Sequence, residues 1–72
     1  MAHSFRKGQA VNWNYGTGTA TGKIAERFER RVSRTIKGTR IIRVGTAGNP
    51  AYLVEQENGD RALKRGSELW AP

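Results

Sequence analysis

The sequence predicts a small all-β barrel of about five strands, with a long central β-hairpin arm and a short terminal 3₁₀ turn. Three observations predict it. Apolar and polar residues alternate in short runs, as in Val11 and Trp13 against Asn12 and Asn14. Glycine-bearing turns separate the runs, and nine of the 72 residues are Gly. Several short strands in so short a chain suit a barrel, whose closure removes edges that could aggregate.

The elements follow in order. Met1 to Lys7 is a polar start, expected to fray at its tip, with Phe5 tucked under the core. Gly8 turns the chain into a first strand, Gln9 to Asn14, with Val11 and Trp13 facing inward. Tyr15 to Gly18 is a turn. Thr19 to Phe28 is a second strand, in which Gly22 suggests a bulge or sharp bend. Lys23 to Ile36 is ambiguous. Ile24, Phe28, Val32 and Ile36 recur every four residues, as on an amphipathic helix, yet all sit at even positions, as on one face of a strand. No good N-cap stands ahead of Ile24, and Thr35 to Val44 reads as a hairpin turning at Lys37-Gly38, so strand is favoured.

The last third is the clearest stretch. Pro50 cannot donate to a ladder and marks a strand entrance. Ala51 to Glu57 reads as a strand, Asn58-Gly59 as a primed turn, and Arg61 to Arg65 as the return. Two registers stay open: a two-residue turn pairs Val54 with Leu63, and a longer loop pairs Glu57 with Arg61. Ser67 to Trp70 is too short for a helix and reads as a 3₁₀ turn that plugs one barrel end with Leu69. The expected core is Val11, Trp13, Ile24, Tyr52, Val54 and Leu69.

Length allows one domain, residues 1–72, with a core spanning roughly 5–70. No Cys and a single His exclude disulfides and make a structural zinc site untenable, and no other cofactor is indicated. Oligomerisation remains the common way to stabilise so small a core. No apolar run is long enough to span a membrane, and no apolar leader is present, so a cytoplasmic location is expected.

With the strands placed, the chain resembles the small bacterial Tudor-type domain of hypervirulence-associated proteins, a family largely of unknown function. Phe5 to Gly8 followed by Val11-Asn12-Trp13-Asn14 resembles its opening strand. Gly18 and Thr21-Gly22-Lys23-Ile24 resemble its second. Thr35 to Thr39 resembles its middle turn. Asn49 to Glu55, Ala62-Leu63-Lys64 and Ser67-Glu68-Leu69 resemble its final hairpin and closing turn. The resemblance implies an SH3-like or Tudor-like barrel and carries over no catalytic or ligand-binding residues.

Charge gives the strongest functional pointer. The net charge is +7, and residues 1–48 hold ten Lys or Arg against two Glu, whereas residues 49–72 hold three against four acids. Such asymmetry suggests an anionic partner. No nucleophile and base fall into a catalytic pattern, and His3 has no fixed partner, so a non-enzymatic module is expected. The leading reading is nucleic acid, or another polyanion, on the segment 27–43 through Arg27, Arg30, Arg31, Arg34, Lys37, Arg40 and Arg43. Tyr15 is the exposed aromatic for base stacking, since Trp13 and Phe28 alternate with the core positions. A methyl-lysine or methyl-arginine cage, which Tudor folds can carry, would need Trp13, Tyr15 and Tyr52 to converge. The alternative to nucleic acid is a protein-interaction or homodimer role through the 27–44 arm. Val32, Ile36, Ile41, Ile42 and Val44 are too apolar for an arm in water and would be covered by a second copy.

Overall fold

Three hairpins and a bulge organise the computed structural model, which describes residues 4–72. Strands β1 (Ala10–Tyr15) and β2 (Gly18–Phe28) turn at Gly16-Thr17, where Gly16 takes φ +58. Strands β3 (Arg31–Ile36) and β4 (Thr39–Val44) form a separate two-stranded sheet. Strands β5 (Ala51–Glu55) and β6 (Arg61–Arg65) follow, then a 3₁₀ turn (Gly66–Glu68) and the short β7 (Leu69–Trp70). The main sheet runs β6-β5-β2-β1-β7, its paired strands all antiparallel, and curls as a Tudor-like barrel. The ambiguous segment 23–36 is therefore strand, interrupted at Glu29-Arg30. The fraying expected of the N-terminal tip falls on residues 1–3, His3 included, which lie outside the described residues.

β5, between β6 and β2, is buried on both faces, from Ala51 through Val54. Tyr52 and Val54 join Val11, Trp13, Ala20, Ile24 and Leu69 in one apolar cluster. This contains every expected core residue. Ala51 and Leu53 point the other way, into a second cluster with Phe28, Val32 and Leu63. The bulge explains how β2 serves both. Its register against β5 shifts between Ile24 and Glu26, so Ala25 is the extra residue. Even-numbered residues thus face the first cluster before the bulge and the second after it, where Phe28 packs. Phe5 covers the first cluster, donating its N–H to the Tyr52 hydroxyl at 2.9 Å with its ring edge-to-face on Tyr52.

Several expectations need correction. Gly22 makes no bulge: β1–β2 pairing runs unbroken through it, opposite Val11. Gly is needed there because a Cβ would lie 2.7 Å from the Glu55 carbonyl oxygen. The last hairpin takes neither expected register. Leu53 pairs with Leu63, Val54 with Ala62 and Glu55 with Arg61, so the strand ends two residues before Glu57. The reason lies in the turn. Gly59 donates to the Gln56 carbonyl at 2.9 Å and has φ +91, while Gln56 donates to the Asp60 carbonyl at 2.7 Å. This is a three-residue loop with a glycine bulge rather than a primed two-residue turn. Asn58 stays at negative φ because its side-chain oxygen accepts the Asp60 N–H at 2.9 Å, forming an Asx turn. The primed turn is at Lys37-Gly38, where φ is +52 and +78.

The β3–β4 hairpin turns where expected but does not project as an arm. Val32 is buried, and Ile36 and Ile41 pack on the second cluster, so these three are covered within the chain rather than by a second copy. Cross-strand pairing divides the hairpin into two faces. Val32, Arg34, Ile36, Ile41 and Arg43 face the sheet. Arg31, Ser33, Thr35, Arg40, Ile42 and Val44 face outward.

The closing segment is anchored from both sides. The Gly66 N–H donates to the Pro50 carbonyl at 2.8 Å, and Asn49 both accepts from the Ser67 N–H and donates to its hydroxyl. Leu69, 6% exposed, plugs the first cluster as expected.

Candidate nucleic-acid interface

Four of the seven candidate basic residues carry an ion pair with a carboxylate. Arg27, which belongs to β2 rather than to the hairpin, pairs with Glu29. That carboxylate, with a smaller contribution from the Tyr52 hydroxyl, raises the Arg27 guanidinium above its ordinary range. Arg34 reaches Glu26 at 3.2 Å, and Arg43 lies 3.7 Å from Glu68. Lys37 donates to Asp60 at 3.0 Å, and this hydrogen bond raises its ammonium above the ordinary 10.5. Arg34 also lies over the Phe28 ring, 4.9 Å from its centroid, and Arg30 joins it at 5.2 Å. Phe28 is thus a core residue capped by two guanidinium groups, not a free stacking platform.

Arg31 and Arg40 differ from the rest. Among the described residues neither makes an ion pair, and both are exposed on the outward face of the hairpin. No Asp or Glu occurs between Arg31 and Val44, so that face holds no carboxylate of its own. Ile42 and Val44 lie beside them, 39% and 55% exposed.

Tyr15 stands 73% exposed at the end of β1, as expected. It borders a cleft of about 320 Å³ with Trp13, Ile36, Lys37, Arg61 and Lys64. Arg61 was not among the sequence candidates. Only the register of the last hairpin places it beside Tyr15, and no local spacing signals that. The aromatic cage does not form: Trp13 is 2% and Tyr52 0% exposed, so Tyr15 has no accessible aromatic partner there. A second groove, about 690 Å³, is lined by Phe5, Arg6, Lys7, Arg27, Phe28 and Arg30. Among the described residues no group of His, Cys, Asp or Glu could hold a metal ion, and no helix is long and apolar enough to cross a membrane.

A family model described as the hypervirulence associated proteins TUDOR domain matches residues 8–69. The chain belongs to that family. The match covers β1 to Leu69 and so includes all three hairpins and the 3₁₀ turn. No curated protein and no solved structure matches the chain. As a Tudor-type domain it is a small binding module, of a kind typically without catalysis. Membership accounts for the barrel and leaves the ligand to be argued from the surface.

Proposed function

We propose that this Tudor domain is a non-enzymatic module that binds nucleic acid through the outward face of the β3–β4 hairpin. The observation that carries the reading is the division of charge across that hairpin. Arg34 and Arg43, on the sheet side, have carboxylate partners, and so does Lys37 at the tip. Arg31 and Arg40, on the outward side, have none among the described residues. Unpaired guanidinium groups on an acid-free strand pair suit phosphate oxygens, which they can hold bidentately. Arg30, also without an ion pair among the described residues, lies over the Phe28 ring beside Arg34 and so stands off this outward face. Arg34, Lys37 and Arg43 then serve mainly to hold the hairpin to the rest of the chain, Arg27 pairs with Glu29 outside it, and Arg31 and Arg40 contact the ligand.

Binding measured over a salt series tests this. Each phosphate contact releases counterions, so affinity falls with salt at a slope of about −0.9 per contact on duplex DNA and about −0.7 on a single strand. The double variant Arg31→Gln/Arg40→Gln is expected to bind more weakly and to lose up to about two contacts' worth of slope. Arg43→Gln is expected to leave the slope unchanged. No binding at low salt, or an unchanged slope in the double variant, refutes the reading.

The exposed Ile42 and Val44 favour one second reading, a protein or homodimer interface on the same face. Sedimentation equilibrium separates the two. A dimer that becomes monomeric on Val44→Asp supports the interface, and a monomer at all concentrations removes the homodimer.

A further inference from the structure

We infer that the nucleic acid is single-stranded and that one unstacked base seats in the cleft beside Tyr15. The inference rests on the preceding reading and deepens it. The first ground is how the hairpin lies. A free two-stranded ribbon can enter a major groove about 12 Å wide. This one is held by Val32, Ile36 and Ile41 against the second cluster and by Arg43 against Glu68. Only its outward face is open, so a duplex can meet it as a backbone surface alone.

The second ground is the cleft at the hairpin tip. Lys37 reaches across to Asp60, which brings the tip beside the last hairpin and Tyr15. The Tyr15 ring is largely exposed and borders a cleft of about 320 Å³, at the small end of the roughly 300–1,000 Å³ typical of ligand sites. Ile36, Ala62 and the buried Trp13 line it on the apolar side. Arg61 and Lys64 stand at its rim without an ion pair among the described residues. Asp60, its one carboxylate, is engaged by Lys37. An aromatic face beside unpaired cations suits a base with its flanking phosphates. Arg40 lies one cross-strand pair from the tip, and Lys37 at the tip lines the cleft, so a strand held by Arg31 and Arg40 would pass round the tip to enter beside Tyr15. Bases stacked inside a duplex present no face to Tyr15; those of a single strand do.

Fluorescence anisotropy at low salt, with an oligothymidylate of about twelve nucleotides and a duplex of equal length, tests the inference. Loss of one stacking contact is worth about 1–3 kcal/mol, so Tyr15→Ala is expected to weaken single-strand binding roughly 5- to 150-fold. Duplex binding is expected to stay unchanged, and Tyr15→Phe to keep wild-type affinity for both. Tyr15 is 73% exposed, so circular dichroism should report the same fold in all three proteins. If Tyr15→Ala binds the single strand as wild type does while Arg31→Gln/Arg40→Gln loses affinity, the base site is wrong and the cationic face stands. If neither probe binds at low salt, the nucleic-acid reading falls and takes this inference with it.

Discussion

Gly45 leaves no room for a methyl group. Its N–H donates to the Arg30 carbonyl at 3.1 Å, and a Cβ there would come within 2.6 Å of the Ala51 nitrogen and also crowd the Phe28 carbonyl oxygen. Those are backbone atoms of β2 and β5 and cannot swing aside. Gly48, three residues on in the same loop, has nothing within 4 Å of the equivalent position and no positive φ. Gly45→Ala is therefore expected to destabilise by about 1–3 kcal/mol, as overpacking does, and Gly48→Ala to stay within about 0.5 kcal/mol of wild type. Urea denaturation of the two variants checks this, and equal midpoints would overturn the close-packing argument. In the sequence both residues read only as parts of a loop, because what separates them is the approach of distant strands. Tyr15 and Trp13 are legible for the opposite reason. Alternation along one short strand is local and puts Trp13 inside, and the glycine-bearing turn that begins at Tyr15 leaves that ring exposed although it shares the parity of Trp13. The ion pairs are not legible. Lys37 and Asp60 stand 23 residues apart, and only the folded hairpins bring them together.

At the scale of elements the first apolar cluster is readable and the second is not. Val11, Trp13 and Ile24 are read from alternation along their strands, Tyr52 and Val54 from the strand entrance that Pro50 marks, and Leu69 from the closing turn, and all fall in one cluster. Ala51 to Val54 is a continuous apolar run, buried on both sides, so it shows no alternation to read. The bulge at Ala25 then moves Phe28 to the far side without changing the parity of its number. The even spacing of Ile24, Phe28, Val32 and Ile36 therefore looks like one helical or strand face, although it serves two clusters. Val32 decides what the β3–β4 hairpin is. It is 2% exposed, whereas Val44, on the outward face, is 55% exposed. Fully burying a Val is worth about 1.5–3 kcal/mol, so Val32→Ala should lose a large part of that and Val44→Ala almost nothing. Thermal and urea unfolding check the pair. Equal and small effects would mean that the hairpin is a free arm after all.

The whole molecule carries a surplus of +7 within extents of 29 × 27 × 23 Å. Two electrostatic effects compete in it. The four ion pairs among the described residues lie on exposed or half-exposed side chains and are worth about 0–1 kcal/mol each. A surplus of this size in so small a body repels itself by an amount on the order of several kcal/mol at low ionic strength, part of which unfolding relieves. Repulsion acts over longer distances than the pairs and is screened first: the Debye length falls from about 30 Å at 0.01 M to about 10 Å at 0.1 M. Net repulsion wins, and the melting temperature is expected to rise as sodium chloride increases over that range. Nucleic-acid affinity is expected to fall over the same range, because counterion release opposes binding. The opposite signs matter, since they separate loss of a ligand from loss of the fold. Melting curves and anisotropy titrations in matched buffers check both. If stability and affinity fall together, the ion pairs dominate the fold, and the salt dependence of binding no longer reports on Arg31 and Arg40 alone.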